Sequence, residues 1–394
     1  MKKILKSIFI KIFDILKVDD KMIVFESNPD MSDSSYALFI YIKNNYPEYK
    51  CVWCISKNKT TLLKQQKIKC FNRKNKILAL YYLSRAKYLF YTHTGVIDRK
   101  LKPAQKAYNI WHGSPGKKFA ANLIDNNYNN HIFVTSTEFT LNKYVENYGV
   151  DRNKSLLSNH LRNDFFDSSF SSTETNKANN LFNFNNYKKN IIFLPTFRRN
   201  KALSKNFYDN FPLKLDKEDW KKLDEFLKVN KVQLIIKNHP MVENADMDFR
   251  KDFLNIRILS SNELVNYDVQ LYSILGHCDA LISDFSSVVY DYMMLNRPIG
   301  YVVSDLDYFK NSSNNEGFVF NDIEENMAGE QIKDFNGLID FITDVINEKD
   351  KYREKRHKIN DLYNNKIDNF GTICERFCYK IGIGTSGYNG KRSL

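Results

Sequence analysis

Four short stretches of the sequence gather residues whose types and spacing suit phosphate chemistry. In Leu281–Tyr292 an apolar strand ends at Ser283, and Asp284, Ser286 and Ser287 follow where a helical pattern begins. Free N–H groups and the positive dipole end at a helix start attract anions, and two hydroxyls extend such a site. An ordinary serine cap accounts for one hydroxyl but not for Asp284 beside two. Asp284 is also placed to orient a histidine or a substrate hydroxyl. In Tyr108–Lys118 a strand leads to His112 inside a turn built from Gly113, Pro115 and Gly116, with two lysines behind. Glycine lets the backbone approach a ligand, and a histidine at a strand end suits proton transfer. Polar filling is the plainer reading of any histidine, but filling does not need this turn. Leu234–Pro240 is a second strand that ends in a histidine, His239. Phe193–Arg199 is a strand followed by Arg198 and Arg199, which read as bidentate phosphate ligands or as a solvated basic loop.

The elements around these stretches alternate. Short β-rich runs at Met22–Glu26, Cys51–Ile55, Tyr88–Tyr91, Ala107–Ile110 and His131–Thr135 are separated by helical patterns such as Tyr36–Asn44 and Lys76–Ser84. A second series runs through Ile191–Leu194, Gln233–Lys237, Ile256–Leu259, Ala280–Ser283 and Ile299–Val303. Alternation of this kind predicts α/β domains with mainly parallel sheets. The expected layout is an amphipathic basic segment (1–20), an acceptor-side α/β domain (21–166), a polar linker (167–190), a nucleotide-donor-binding α/β domain (191–381) and a loose tail (382–394). Two doubly wound, Rossmann-like domains facing a central cleft place the chemistry beyond the carboxyl ends of the strands.

Composition narrows the partners. The chain has 394 residues, 43% of them hydrophobic and 27% charged, which excludes a disordered or fibrous protein. No run approaches the roughly 20 apolar residues of a spanning helix. Lys and Arg number 59 against 46 Asp and Glu, a net +13 that favours nucleic acid, acidic lipid or a phosphate-bearing substrate. In Met1–Lys17, apolar residues at helical spacing alternate with lysines, a pattern that suits an anionic membrane interface or a helix capping the first domain. Six scattered cysteines and no secretory signal suggest a reducing compartment. Cys51 and Cys54 form a lone C-x-x-C inside an apolar run and read as core residues of a strand. Ser32-Asp33-Ser34-Ser35 echoes the later serine stretch, as an acceptor contact or a helix cap. His93, His131, His160, His277 and His357 lack metal-ligand spacing, Asp305-Leu306-Asp307 is too common a pattern to weigh, and no P-loop occurs. No metal or cofactor is expected.

Together these stretches resemble the CDP-glycerol:poly(glycerophosphate) glycerophosphotransferase family of teichoic-acid and capsule synthesis. The family's W-H-G-[ST]-P turn stands as Trp111–Pro115, its R-N-D element as Arg162-Asn163-Asp164, and its P-T-[WF]-R element as Pro195–Arg198. Its K-P-H-P appears as Lys237–Pro240 with Asn238 in place of the first proline. Its S-D-[YF]-S-S-x-x-x-D is Ser283–Asp291, and Arg297-Pro298-Ile299, Asp305–Tyr308 and Gly317-Phe318 follow in order. The resemblance implies a GT-B-like fold, a CDP-glycerol or similar CDP-polyol donor, and an acceptor on a lipid-linked or polymeric glycan. It also implies peripheral attachment to an anionic membrane surface at the cytoplasmic face, with no nucleic acid among the partners. His112 and His239 become the expected catalytic pair, Arg198, Ser286 and Ser287 the donor-phosphate ligands, and Asp284, Gly113 and Asp291 their supports. A nucleotide-sugar glycosyltransferase and a non-catalytic polyanion-binding protein are the competing readings.

Overall fold

The computed structural model describes residues 15–56, 67–93, 97, 100–118, 131–196, 211–237, 253–311, 317–320, 322–367 and 369–384. The chain forms two compact units. Unit 1 comprises Met1–Gly113, Ala120–Phe165 and Ile367–Leu394; unit 2 comprises Ser114–Phe119 and Phe166–Lys366.

Unit 1 is built on a seven-stranded parallel sheet: β1 (Asp19–Glu26), β2 (Lys50–Ile55), β3 (Cys70–Asn72), β4 (Ala86–Tyr91), β5 (Lys106–Asn109), β6 (His131–Thr135) and β7 (Ser155–Leu157). Their order across the sheet is β3-β2-β1-β4-β5-β6-β7, the doubly wound arrangement whose switch point lies between β1 and β4. Both faces of such a sheet are covered, so its strands read as nearly continuous apolar runs. One rung shows how register builds the core. Phe25 pairs with Trp53 and with Phe90, and Phe90 with Tyr108, so four aromatic rings lie side by side at centroid spacings of 5.4 Å. Rings at this separation gain stacking energy beyond their burial. The opposite face packs Val24, Val52, Phe71 and Leu89 against Ala79 and Leu83 of the helix Lys76–Arg85. Cys54 belongs to that core, and burial drives its thiol far above the ordinary range; Cys51 is half-buried on the same strand.

Unit 2 repeats the plan with six parallel strands: β8 (Lys189–Leu194), β9 (Val232–Lys237), β10 (Ile256–Leu259), β11 (Ala280–Ser283), β12 (Ile299–Val302) and β13 (Glu330–Ile332). Their order is β10-β9-β8-β11-β12-β13, with the switch point between β8 and β11. Ile191, Leu234, Ile236 and Ile282 pack with Trp220, Leu223 and Leu227 of the helix Lys217–Asn230 and with Leu338 and Ile342 of the helix Phe335–Ile346.

Two boundaries differ from the sequence reading. The polar stretch 167–190, expected as a linker, carries the helix Ser172–Phe182, started by the Ser171 hydroxyl. It buries Glu174, Ala178 and Phe182, one residue per turn, and so narrow a stripe hides in a Ser- and Asn-rich sequence. The buried Glu174 is met by Lys177, which also reaches Asp268. The last helix, Ile373–Ile381, groups with unit 1 and not with the second domain. Asp164 draws it there: its buried carboxylate accepts the N–H groups of Gly371, Ile373 and Cys374 at 2.8–3.0 Å. Among the described residues, no helix is long and apolar enough to cross a membrane.

Candidate functional site

In unit 1 the site residues sit on the loops that leave the carboxyl ends of β1, β4 and β5, around the switch point. β5 ends at Asn109, whose side chain accepts the Trp111 N–H at 3.2 Å and starts the turn that carries His112. The buried Gly113 passes its carbonyl to the hydroxyl of Tyr144. The His112 ring is held by its Nδ1, 3.0 Å from the carbonyl of Thr92, the residue after β4. A carbonyl only accepts, so Nδ1 carries the proton and Nε2 keeps a lone pair when the ring is neutral. Burial lowers the His112 pKa below the ordinary histidine value, against the opposing pull of the Thr92 carbonyl and of Asp33. The ring is therefore largely neutral at pH 7.

Three further residues complete this arrangement. His93 stacks face to face on His112, with centroids 3.9 Å apart and planes 3° apart, and its Nδ1 lies 2.9 Å from the Thr92 hydroxyl. Burial and the neighbouring His112 push the His93 pKa down to about 3. Arg162 is almost fully buried; its Nη1 donates to the Asp33 carboxylate at 2.7 Å and to the His112 carbonyl at 2.8 Å. Burial would raise the Asp33 carboxyl, but the Arg162 charge and the Ser34 N–H outweigh it and hold it below the usual range. Asp33 sits at φ 63°, a left-handed position that Asp tolerates, and opens the helix Asp33–Asn45. The Ser32–Ser35 stretch is thus more than a cap. Ser32 makes no side-chain cap, and Ser35 donates to the Glu26 carbonyl at 2.8 Å, leaving Asp33 to meet Arg162.

In unit 2 the loops that leave β8 and β11 meet at Asp284. Its buried carboxylate accepts the Thr196 N–H (3.1 and 2.9 Å), the Thr196 hydroxyl and the Phe285 N–H (2.6 Å). So Asp284 orients neither a histidine nor a substrate hydroxyl; it ties the Pro195-Thr196 turn to the serine turn. Asp291 is also buried and accepts the Tyr272 hydroxyl at 2.5 Å, which fixes the short helix Val288–Tyr292 against Leu271–His277. Ser286 and Ser287 are only partly buried. The Ser287 hydroxyl caps nothing, and the Ser286 hydroxyl meets the Val288 N–H only at 3.5 Å. Beside them lies a hollow lined by Gly116, Phe285, Ser286, Tyr290, Phe318 and Asn326. The segment that follows His112 helps to build it: Lys117 bridges Phe318, Lys118 N–H meets the Gly317 carbonyl, and Val319 N–H meets that of Gly116. A β-carbon on Gly116 would lie 3.0 Å from the Tyr290 ring, so this approach requires glycine. Arg297 donates to the Gly276 and Cys278 carbonyls and closes the end of Leu271–His277. His239, Arg198 and the segment 1–14 lie outside the described residues. Among the described residues no group of three acidic, His or Cys side chains is placed to hold a metal ion.

Of the sequence-predicted residues, the structure puts His112 and Gly113 in unit 1 and Asp284, Ser286, Ser287 and Asp291 in unit 2. The reading overlooked Thr92 and His93 and left Asp33 and Arg162 without roles. A signal for His93 was present: it follows β4 as His112 follows β5, and consecutive strands of a doubly wound sheet set such positions side by side.

Two doubly wound parallel units, each with its polar residues beyond the strand ends, define a GT-B-like nucleotide-dependent transferase. The model of the CDP-glycerol:poly(glycerophosphate) glycerophosphotransferase family matches residues 8–375, and the chain belongs to that family. It is therefore a glycerophosphotransferase that draws on a CDP-glycerol-type donor. Among curated relatives, a teichoic acid poly(glycerol phosphate) polymerase of Bacillus spizizenii is 27% identical, over 95% of this chain and 92% of its own length. A teichoic acid glycerol-phosphate transferase of Staphylococcus aureus is 24% identical, over 97% and 98% respectively. The chain spans about half (47%) of the longer Bacillus subtilis polymerase, at 26% identity. Among solved structures, the wall teichoic acid polymerase TagF, in crystals soaked with CDPG, superposes with a TM-score of 0.73 at 21% identity, over 96% of this chain and 93% of that one. That likeness establishes the GT-B-like fold. The family match sets aside the nucleotide-sugar and non-catalytic readings.

Proposed function

We propose that this enzyme transfers glycerol phosphate, or a related polyol phosphate, from a CDP-activated donor to a hydroxyl of a lipid-linked or polymeric cell-envelope glycan of the teichoic-acid or capsule type. It works at the cytoplasmic face of the membrane, attached peripherally with the help of the basic amphipathic segment 1–20. The observation that carries the reading is the Nδ1 bond from His112 to the Thr92 carbonyl, which leaves Nε2 as an acceptor on a neutral ring. An acceptor hydroxyl is a poor nucleophile at neutral pH, and His112 Nε2 takes its proton. The hydroxyl oxygen bonds to the phosphorus that bears the polyol, the bond from that phosphorus to the bridging oxygen breaks, and CMP leaves with the electron pair. Such a transfer needs in-line positioning and charge neutralisation more than covalent help. Ser286 and Ser287, whose hydroxyls the fold leaves largely uncommitted, join Arg198 and His239 around the diphosphate. Asp284, Gly113 and Asp291 hold these groups in place.

The test is a radiolabelled CDP-glycerol assay with synthetic lipid acceptors, read by product mass spectrometry, with donor binding followed by calorimetry. His112→Ala is expected to abolish transfer at near wild-type donor affinity, and His239→Ala to lose transfer and weaken donor binding. The opposite pattern would reverse the two roles. No transfer and no CMP across CDP-polyols and acceptors would remove the reading itself.

A further inference from the structure

Charge is unevenly placed along this chain. From Lys50 to Ile97 there are eleven Lys and Arg residues and no Asp or Glu, against a net +13 for all 394 residues. Some of these charges are matched from elsewhere in unit 1: Lys50 and Arg85 by Asp19, Lys87 by Asp20, and Arg73 by Glu26 and Asp30. Lys67, Lys69, Lys74 and Lys76 are exposed and have no acidic partner among the described residues. All four flank β3, the three-residue edge strand, or open the helix Lys76–Arg85 packed beside it. Lys69 reaches over the Tyr82 ring of that helix, at 5.8 Å, while Tyr82 stacks on Phe71 of β3. In the helix's first turn stand Ile77, 59% exposed, and Leu78, 41% exposed. Two neighbouring aliphatic side chains left in water inside a collar of unmatched lysines are costly for a free surface.

We propose that this edge of unit 1 docks on an anionic lipid bilayer, with Ile77 and Leu78 entering the acyl boundary and the four lysines meeting acidic headgroups. A soluble polyanion satisfies the lysines but gives nothing to Ile77 and Leu78, so the apolar pair selects the bilayer. The helix tip follows the carboxyl end of β3, as Asp33 follows that of β1 and His112 that of β5. Every strand pair of the sheet is parallel, so the tip and His112 lie at the same end of unit 1. Docking there brings the His112 end to the surface that holds a lipid-linked acceptor. This last consequence rests on the proposed reaction; the docking itself does not.

The experiment is flotation of the full-length chain on phosphatidylglycerol/phosphatidylcholine vesicles, alongside turnover of a soluble acceptor analogue. Lys74→Gln/Lys76→Gln is expected to weaken vesicle binding about 25-fold, from roughly fivefold per lysine. Ile77→Ser/Leu78→Ser, with charge unchanged, is expected to cost a similar factor. Both variants keep wild-type circular dichroism and soluble turnover, which separates failure of docking from failure of the catalytic reading. Wild-type flotation by either variant would overturn the proposal. So would an unchanged Ile77→Ser/Leu78→Ser variant together with a lysine variant that loses inorganic polyphosphate binding to the same extent, since a soluble polyanion is then the ligand.

Discussion

Replacing Arg162 with Met removes one end of a buried ion pair and one donor from the His112 turn. The pair is close, 2.7 Å, with the arginine side chain 4% exposed and that of Asp33 17% exposed. Loss of one partner of a buried pair costs about 3–5 kcal/mol, because the remaining charge stays in a poorly solvated place. Asp33 keeps some water, so the lower end applies, and the freed His112 carbonyl adds to it without simple summation. An expected loss of about 3 kcal/mol is a large part of the ~5–15 kcal/mol that holds a typical domain folded. Equilibrium urea unfolding measures it, and a transfer assay on the same samples reads the looser His112 turn as a fall in kcat at unchanged donor affinity. Asp33→Asn is the companion, since Asn also accepts φ 63°. In a double-mutant cycle, Arg162→Met with Asp33→Asn is expected to cost clearly less than the two single losses together, because no unmatched charge is left. Additive losses would show that the two side chains act independently, and the positioning argument would fail.

Three other outcomes follow from particular contacts. His93 titrates near 3 when folded and near 6.5 when unfolded, so below pH 6.5 the unfolded chain binds the extra proton and stability falls. His93→Phe keeps the stack on His112 and is expected to reduce this decline by about 1 kcal/mol per pH unit, allowing for the ring's partial exposure, in urea midpoints between pH 6.5 and 4.5; parallel curves for the two proteins would contradict it. Asp284→Ala leaves the Thr196 N–H and hydroxyl and the Phe285 N–H without their acceptor, an expected loss of ~3 kcal/mol with weaker CDP binding by calorimetry. Gly116→Ala drives a methyl to 3.0 Å from Tyr290, which is itself stacked on Tyr363 at 3.8 Å and has little room to yield. Overpacking of this kind is expected to lower stability by ~1–3 kcal/mol, and an unchanged melting temperature would refute it.

The strands were legible wherever burial on both sheet faces demanded an unbroken apolar run. His131–Thr135, Ile256–Leu259 and Ala280–Ser283 end where their patterns end. Cys70–Asn72, Ser155–Leu157 and Glu330–Ile332 were not legible, because three residues at a sheet edge, with half-buried side chains, offer no period to count. The catalytic turn was visible through its glycines and histidine. Its supports were not, since Thr92, His93, Asp33 and Arg162 come from three distant loops and share only the end of the sheet. Nothing local marks Arg162, 50 positions after His112, as the donor to its carbonyl.

The serine turn of unit 2 shows how motif residues can be sorted without knowing their ligand. A side chain whose hydrogen-bonding capacity is spent inside the protein has none to offer a substrate. Ser283 gives its hydroxyl to the Leu194 carbonyl at 2.7 Å, Asp284 receives three donors, and Asp291 receives Tyr272. These three lace β8, β11 and the helix Leu271–His277 together. Ser286 and Ser287 stand between them in the same motif, yet the fold asks almost nothing of their hydroxyls. A pair of small polar side chains held rigidly on both sides and left uncommitted in the middle suits a ligand that brings its own acceptors, as a diphosphate does. By the same measure His112 stands apart in unit 1: Nδ1 is used to set the ring, and Nε2 is the atom left for chemistry.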